Sequence, residues 1–354
     1  MGRSSVVLSA TELSNLPQLL PPRGMELVAC GSCLPQSVVS NDLLSRRVDT
    51  NDDWIRDRTG IGSRRIASAS ESLTSMASAA AQAALDQAGW QAEDLDLILL
   101  ATSSPDDLFG TAPRIQAVLG AHRAVAFDLT AACSGFLFAL ITAAQFIRGG
   151  SMDKVLVIGA DLLSRWVDWD DRRTCVLFGD GAGAGALQAC PAQQDGLVAF
   201  RMRSDGQRNS CLTLARSGAR LPLVEDLSRE VGGFGTIAMN GQEVYKFAVR
   251  EVPIVLADLL EQAGLAAEQL DWLLLHQANQ RILDAVADRV AVPRERVLSN
   301  LATYGNTSAA TIPLMLDEAV RDGRIRPGHL IASSGFGAGL SWGGALLRWG
   351  GPPH

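Results

Sequence analysis

Three residues of this chain have side chains that can form and break a thioester: Cys133, His276 and Asn306. A cysteine thiolate attacks an acyl group and holds it covalently. Histidine and asparagine side chains can both donate hydrogen bonds to the oxygen of a thioester enolate. The three residues are far apart in the sequence, so the elements around each of them decide whether this chemistry is available.

Cys133 lies between a predicted strand, 124–129, and a predicted apolar helix, 136–147. At a helix start the thiol would feel the positive end of the helix dipole and unpaired backbone N–H groups. Both would lower its pKa and favour the thiolate. The small residues at 131–135 would let a substrate carbonyl approach the backbone closely. A buried structural cysteine fits the same position, so position alone favours neither interpretation.

His276 ends an apolar strand, and Asn306 follows a glycine in a turn that leads into a helix. The carboxyl ends of strands are where α/β proteins form their sites. Either residue could instead be structural, because a strand-end histidine is often buried and satisfied, and the turn residues are good helix N-caps. We predict that Thr307 or Ser308 caps the helix while the Asn306 amide faces the site.

The chain contains an internal repeat whose offset is close to half its length. Three segments of the first half each resemble a segment of the second: 84–100 resembles 259–275, 127–133 resembles 298–307, and 178–185 resembles 336–343. Three such pairs in the same order indicate gene duplication. We predict two similar α/β halves, 25–195 and 196–354, after a flexible extension at 1–24. Alternating strands and helices predict largely parallel sheets covered on both faces, with Cys133, His276 and Asn306 at one centre.

Composition argues against several kinds of partner. A net charge of −7 at pH 7, without Lys/Arg-rich runs, argues against nucleic-acid binding. Six cysteines in 354 residues do not resemble a secreted disulfide framework, and the CxxC at Cys30 and Cys33 has no second motif for zinc. No apolar stretch is long enough to span a bilayer. We predict a cytoplasmic protein without a metal.

Six segments, taken in order, resemble the beta-ketoacyl-(acyl-carrier-protein) synthase III family of the thiolase superfamily. They are DTNDDWIRDRTGI (49–61), AACSGF (131–136), LFGDGAG (177–183), HQAN (276–279), GNTSAA (305–310) and GFGAG (335–339). The resemblance covers the chain from about Glu26 onwards. It implies an α/β thiolase fold of two duplicated βαβ-type halves, with mixed, mostly parallel sheets in an α/β/α/β/α arrangement.

The resemblance implies an acyltransferase that works in two half-reactions. Cys133 would take the acyl group of an acyl-CoA. Malonyl-acyl-carrier protein would then lose CO2 and attack the Cys133 thioester, giving the 3-oxoacyl-carrier protein that begins fatty-acid synthesis. His276 and Asn306 would stabilise the enolate, and the backbone N–H groups of Cys133 and Ala338 would form the oxyanion hole. The family usually has glycine at 338, so alanine there requires a negative φ.

The resemblance also assigns binding residues, with Trp54 and Arg172 on either side of the CoA adenine. The expected CoA and substrate contacts are Thr50, Trp54, Arg58, Arg172, Phe178, Gly241, Tyr245, Ala278, Asn279 and Phe336. Lys246 and Arg281 would dock the carrier protein, and Arg173, where many members have glycine, would alter the pocket mouth. A homodimer is expected, with the loop at 108–109 reaching a neighbouring acyl pocket. No cofactor is implied, because acyl-CoA is a substrate.

Several related activities fit less well. A thiolase needs a second cysteine in the C-terminal glycine-rich loop, where this chain has none. Hydroxymethylglutaryl-CoA synthases use a glutamate and lack the Gly-Asn-Thr-Ser pattern, and plant-type polyketide synthases lack the Trp54 and His276-Gln-Ala-Asn279 segments. A starter enzyme of secondary metabolism remains open, and so does a catalytically silent binding protein of this fold. Acetyl is our default starter group.

Overall fold

The computed structural model describes residues 22–352 of the chain. Its strands are β1 (Arg23–Cys33), β2 (Ser37–Ser40), β3 (Ser63–Ile66), β4 (Leu97–Ala101), β5 (Val125–Leu129), β6 (Lys154–Asp161), β7 (Gly181–Pro191), β8 (Leu197–Ser204), β9 (Leu212–Thr213), β10 (Ala219–Val224), β11 (Leu227–Val231), β12 (Ala238–Met239), β13 (Trp272–Leu275), β14 (Leu330–Gly337) and β15 (Ser341–Arg348). Its helices are α1 (Asn41–Leu44), α2 (Asp52–Thr59), α3 (Leu73–Ala88), α4 (Ala112–Leu119), α5 (Gly135–Arg148), α6 (Gly241–Ala263), α7 (Gln280–Arg289), α8 (Leu301–Tyr304) and α9 (Thr311–Arg321).

The longer strands form two sheets, with the orders β1-β7-β6-β4-β5 and β13-β14-β15-β8. The pairs β4–β5, β4–β6 and β13–β14 are parallel, and the other four pairs in these sheets are antiparallel. The sheets are mixed, as predicted, but the expectation that they are mostly parallel is wrong. One reason is that a tight turn at 338–340 joins β14 to β15, and a short turn can only join antiparallel neighbours.

Helices alternate with the sheets to give five layers. On the outer face of the first sheet, α3 and α4 bury apolar residues such as Leu85 and Ile115. Between the sheets, α5 and α9 pack Phe136 and Met315 against strands of both. On the outer face of the second sheet lie α6 and α7. Because both faces of each sheet are covered, strands such as β4 and β14 are buried at every position.

The internal repeat has a structural counterpart. Helices α3 and α6 both end at a left-handed glycine, Gly89 with φ 67° and Gly264 with φ 65°, and each leads into a buried strand. The first sheet uses strands within 23–191 and the second uses strands within 197–348. The division at 195/196 stays a prediction. Strand β1 includes residues 23 and 24, which we expected in a flexible extension; residues 1–21 lie outside the described part.

Two corresponding turns meet at the centre of the molecule. The turn Ala132–Ser134 precedes α5, and the turn Ser308–Ala310 precedes α9. Ala132 and Ser308, the first residues of these turns, have φ of 48° and 54°. Left-handed backbone is unfavourable for a residue with a β-carbon, and such residues cluster at functional sites. The two turns therefore indicate where the site lies.

Candidate active site

Cys133 lies in the turn before α5 and is only 6% exposed. Its Sγ is 3.4 Å from the Oγ of Ser308 in the opposite turn. Burial raises the pKa of the Cys133 thiol to about 12, although the hydrogen bond with Ser308 acts in the other direction. We expected the helix start to lower this pKa, and that expectation is wrong. The apolar surroundings disfavour the charged thiolate more than the nearby backbone dipoles favour it.

The backbone of Cys133 is packed against strand β14. A β-carbon on Gly337 would lie 2.7 Å from the backbone nitrogen of Cys133, and one on Gly335 would lie 3.2 Å from the Cα of Ser134. The first of these distances is too short for any larger residue, so glycine lets the two segments meet. The C-terminal end of β14, which contains Gly335 and Gly337, thus packs directly against the backbone of Cys133 and fixes its position.

His276 directly follows β13, and its backbone N–H donates to the carbonyl of Ser334 at 2.8 Å. The imidazole meets the ring of Phe336 edge-on, with ring centroids 5.2 Å apart. Its Nδ1 lies 2.8 Å from the Oγ1 of Thr311. Burial lowers the pKa of His276 to about 3, so the ring is neutral at physiological pH and can carry a proton on only one nitrogen.

Asn306 is fixed through both its backbone and its side chain. Its N–H donates to the carbonyl of Leu177, and its carbonyl accepts from the N–H of Gly179, each at 2.9 Å. Its Oδ1 accepts from the N–H of Ser308 at 2.9 Å. Asn306 itself therefore holds the turn, and the expectation that Thr307 or Ser308 caps the helix is wrong. Because Oδ1 is used in the turn, Nδ2 remains as a donor, with no partner among residues 22–352.

Cys133, His276 and Asn306 line one cavity of about 620 Å³. The predicted contact residues that also line it are Arg58, Phe178, Gly241, Tyr245, Ala278, Asn279 and Phe336. The fold thus brings the three chemical groups together, as the duplication predicted. The cavity combines a nucleophile with a neutral imidazole and a carboxamide, and such groups can act on an acyl thioester.

A second cavity, of about 350 Å³, reaches Cys133 from another side. Its lining is largely apolar and includes Leu163, Leu214 and Ile237. Ala338 lines this cavity too, and it is absent from the residues with positive φ in the described part of the chain. Ala338 therefore avoids positive φ, as alanine at this position requires. The arrangement suits an acyl group held in apolar surroundings while its carbonyl lies at Cys133.

Comparison with known proteins identifies the family. The profile described as "3-Oxoacyl-[acyl-carrier-protein (ACP)] synthase III" matches residues 127–206, and the profile of its C-terminal part matches 260–349. A beta-ketoacyl-[acyl-carrier-protein] synthase III from Prochlorococcus marinus (strain MIT 9313) is 68% identical over 93% of this chain and 97% of its own length. The chain belongs to the 3-oxoacyl-[acyl-carrier-protein] synthase III family. The expected acyltransferase class and thiolase fold are confirmed.

Solved structures agree with this membership. The synthase III from Aquifex aeolicus VF5 is 43% identical and superposes with a TM-score of 0.84, covering 92% of this chain and all of that one. The priming beta-ketosynthase of the R1128 polyketide pathway is 34% identical with a TM-score of 0.87, covering 96% of this chain and all of that one. Overall shape therefore does not distinguish a synthase III from a priming beta-ketosynthase of a polyketide pathway.

The synthase III resemblance predicts that Trp54 and Arg172 enclose the CoA adenine, and the structure differs here. The guanidinium carbons of Arg58 and Arg172 lie 4.9 and 5.4 Å from the Trp54 ring centroid. A base between two planar groups needs a separation of about 7 Å, twice a normal contact. Arg172 instead packs on the indole and donates to the carbonyl of Asp49 at 2.8 Å. To enclose a base, Arg172 must move.

Other predicted synthase III residues lie away from the large cavity. Those that do not line it are Thr50, Trp54, Arg172, Lys246 and Arg281. Lys246 pairs with Glu243 one turn earlier in α6, and Arg281 donates to the carbonyl of Asp57 at 2.8 Å. Arg173 does line the cavity, which fits the expectation that it alters the mouth. Its guanidinium is paired with Asp171.

The sequence reasoning missed buried residues that hold the candidate catalytic residues in position through hydrogen bonds or close packing. Asp161, at the end of β6, is fully buried and accepts from the N–H of Ser103 at 2.7 Å and the N–H of Ala309 at 3.2 Å. It thus ties the turn of Ser308 to the first half. Thr311 and Gly337 were also missed. A charged residue ending an apolar strand was the available signal for Asp161, but nothing marked Thr311.

Three further observations bear on other predictions. Among residues 22–352, no group of three or more His, Cys, Asp or Glu side chains is placed to hold a metal ion. No helix in that range is long and apolar enough to cross a membrane. Leu108 and Phe109 are 81% and 98% exposed in the single chain. The expectation that this loop reaches a neighbouring acyl pocket stays a prediction.

Proposed function

We propose that this chain catalyses the decarboxylating condensation of a short acyl-CoA with malonyl-acyl-carrier protein through an acyl-Cys133 intermediate. The observation that carries this proposal is the meeting of Cys133, His276 and Asn306 at one large cavity, with a separate apolar cavity on another side of the thiol. The large cavity suits a thioester-bearing arm that enters from solvent. The apolar cavity suits the acyl chain that stays on the enzyme between the two half-reactions.

In the first half-reaction, Cys133 Sγ attacks the acyl carbonyl, the bond from that carbon to the sulfur of CoA breaks, and CoA leaves as its thiol with the proton from Cys133. Backbone N–H groups of Cys133 and Ala338 would donate to the oxygen as it becomes negative. Glycine at 337 allows the close packing that fixes this backbone. Because burial raises the pKa of the thiol, proton removal is part of the barrier.

In the second half-reaction, the malonyl group loses CO2 and leaves an enolate. The enolate carbon attacks the carbonyl carbon of the Cys133 thioester and a carbon–carbon bond forms. The bond from that carbonyl carbon to Sγ breaks, and the released Cys133 thiolate takes up a proton from solvent. The Nδ2 of Asn306 and the imidazole of His276 would stabilise the enolate oxygen by hydrogen bonding. Both side chains are held by the protein before substrate arrives, through Ser308 and Thr311. Such preorganised donors need no rearrangement during the reaction.

The partners follow from the same proposal. Arg58 and Arg173 at the large cavity are suited to the phosphates of CoA, and Lys246 and Arg281 to an acidic carrier protein. We also propose a homodimer that covers Leu108 and Phe109, a cytoplasmic location, and a reaction that needs no cofactor beyond its substrates.

The deciding experiment is intact mass spectrometry of the full chain after incubation with acetyl-CoA. We expect one acetyl adduct, which is absent in Cys133→Ala and retained in Cys175→Ala, a variant that removes a different buried free cysteine. Release of CO2 and formation of acetoacetyl-carrier protein from malonyl-carrier protein would complete the reaction. The absence of an adduct with every short acyl-CoA would show the enzyme proposal to be wrong.

A starter enzyme of secondary metabolism is the second candidate, because the R1128 priming beta-ketosynthase superposes so closely. The two candidates differ in the acyl group that Cys133 accepts. Competition among acetyl-, butyryl-, isobutyryl- and hexanoyl-CoA, read from the masses on Cys133, separates them. Preference for acetyl supports the first. Exclusion of acetyl in favour of a longer chain supports the second.

A further inference from the structure

Asp161, at the end of β6, is a fully buried carboxyl group that has no part in either half-reaction. Its Oδ1 accepts from the backbone N–H of Ser103 at 2.7 Å and from the hydroxyls of Thr102 and Ser104 at 3.1 and 2.8 Å. Its Oδ2 accepts from the backbone N–H of Ala309 at 3.2 Å. All four contacts are donors, as a carboxylate requires, and none of them carries a charge.

The two hydroxyl groups at this carboxyl have their direction fixed by other contacts. The Oγ1 of Thr102 accepts from the backbone N–H of Ser104 at 3.1 Å, and the Oγ of Ser104 accepts from the backbone N–H of Leu162 at 2.8 Å. The hydrogen of each hydroxyl is therefore left for Asp161. A negative charge is thus held in the interior by neutral donors alone.

The hydroxyl of Ser308 interacts with both this carboxylate and the thiol of Cys133. Ser308 precedes Ala309 in the turn, and its Oγ is 3.4 Å from the Sγ of Cys133. Burial raises the pKa of Asp161, and the hydrogen bond from the Ser308 side chain opposes this. A hydroxyl can accept one hydrogen bond while it donates another. A proton can therefore pass from Sγ to Oγ as the hydroxyl hydrogen moves to the carboxylate, whichever group the hydroxyl faces at rest.

The charges favour transfer of the thiol proton to Asp161 over its loss to solvent. Burial raises the pKa of Cys133 to about 12, and the negative charge of Asp161 acts in the same direction. Loss to solvent would leave two negative charges in the same buried region. Transfer leaves only one, because the carboxyl becomes neutral as the thiolate forms. Burial also raises the pKa of Asp161, which makes it a better proton acceptor.

We propose that Asp161 accepts the proton of Cys133 through the hydroxyl of Ser308, an inference that rests on the proposed function. As Sγ attacks the acyl carbon, its proton passes to the Oγ of Ser308, and the hydroxyl proton passes to the carboxylate of Asp161. The bond from the acyl carbon to the sulfur of CoA then breaks, and the same path returns one proton to that sulfur. Cys133 ends as a thioester, CoA leaves as its thiol, and Ser308 and Asp161 end as they began.

The test is the rate at which acetyl-CoA acylates Cys133 in the full chain, read by rapid quench and intact mass in mixtures of H2O and D2O. We expect two protons to contribute to the solvent isotope effect of the native protein. Asp161→Asn, whose amide cannot take the proton, should slow acylation at least about tenfold and lose the contribution of one proton. Asp180→Asn is the matched control, because Asp180 is also fully buried and accepts from the neutral N–H groups of Ala67 and Ser164. It should keep the isotope effect and stay within about twofold. Equal losses in the two variants would overturn the proposal.

Alkylation of Cys133 by iodoacetamide separates proton acceptance from a simple effect of charge. If Asp161 acted only through its charge, Asp161→Asn would remove a repulsion and speed alkylation. We expect slower alkylation, because the thiol loses its base, and a faster reaction would sink the idea.

Two further outcomes keep the proposal open to disproof. If Asp161→Asn does not fold, Ser308→Ala breaks the path and keeps the carboxylate. The isotope effect of the native protein must then involve one proton more than that of the variant, and the same effect in both would overturn the proposal. If the native protein takes no acyl group from any short acyl-CoA, the proposed function fails, and the alkylation rates still test the proton path.

Discussion

The Sγ of Cys133 and the Oγ of Ser308 lie 3.4 Å apart, although the two residues are separated by 175 positions. The turn of Ser308 is the counterpart, in the second half, of the turn that carries Cys133. The nucleophile therefore meets the equivalent turn of its own repeat. The Ser308 hydroxyl is the polar side chain that offsets the burial of the thiol, since its hydrogen bond lowers the pKa that burial raises.

Removing the Ser308 hydroxyl should slow acylation. In Ser308→Ala the pKa of Cys133 should rise further, so that acylation at a given pH falls by about three- to tenfold and the rate–pH curve moves to higher pH. Alanine is compatible with the backbone, because Ala132 has a similar φ. The measurement is the rate of Cys133 acylation from about pH 6 to 9. Ser333→Ala, which removes a buried hydroxyl without a partner in the described residues, is the control. Equal rates in all three proteins would contradict the prediction.

The buried imidazole of His276 should make the protein less stable in mild acid. Its folded pKa is about 3, whereas in the unfolded chain it titrates near about 6.5. Below about pH 6.5 the unfolded state takes up a proton that the folded state refuses. The free energy of unfolding should then fall by up to about 1.4 kcal/mol per pH unit from this group. Urea titrations from about pH 7 to 5 measure the slope, and His276→Asn should reduce it. An unchanged slope would argue against the buried neutral ring.

Gly337 should tolerate no larger residue. A β-carbon there would lie 2.7 Å from the backbone nitrogen of Cys133, so Gly337→Ala must push the nucleophile's turn away from β14. We expect acylation to fall at least about tenfold, because a displaced oxyanion donor is costly. Gly206→Ala is the matched control, since a β-carbon at that position meets nothing within 4 Å. Full activity of Gly337→Ala would contradict the prediction, because it would show that β14 can shift to accommodate the β-carbon without displacing Cys133.

Arg173 should matter for CoA but not for a shorter thioester. It lines the large cavity and pairs with Asp171 at its mouth. In Arg173→Ala we expect the KM for acetyl-CoA to rise about three- to tenfold with kcat unchanged, because the lost contact is made equally in substrate and transition state. The KM for acetyl-pantetheine should not change. Arg220→Ala, on an exposed position of β10, serves as the control. A kcat effect without a KM effect would contradict this assignment.

Sequence patterns were enough to predict the elements and the chemistry they carry. Glycines at the ends of α3 and α6, the buried strands after them, and the ends on which Cys133 and His276 lie all leave local signals. The repeat then supplied the one long-range relation needed to bring Asn306 to Cys133. Local pattern and internal symmetry together gave the candidate site.

Sequence patterns could not predict the features of the site that depend on contacts between distant segments. The pKa of Cys133 is raised because both halves close over the thiol, so its direction could not be inferred from the helix start alone. The contact of Thr311 with Nδ1 of His276 joins residues that lie 35 positions apart on different elements. Arg172 packs on Trp54 because Asp49 holds it there. None of these contacts leaves a periodic signal in the sequence.

The helices between the two sheets have a consequence for how the chain folds. Because α5 and α9 bury apolar residues against strands of both sheets, removal of either sheet would expose that layer to water. A fragment with only one half would carry a wide hydrophobic face and would tend to associate or to be degraded. The nucleophile's turn and the turn that completes it should therefore form and melt together, in a single cooperative transition.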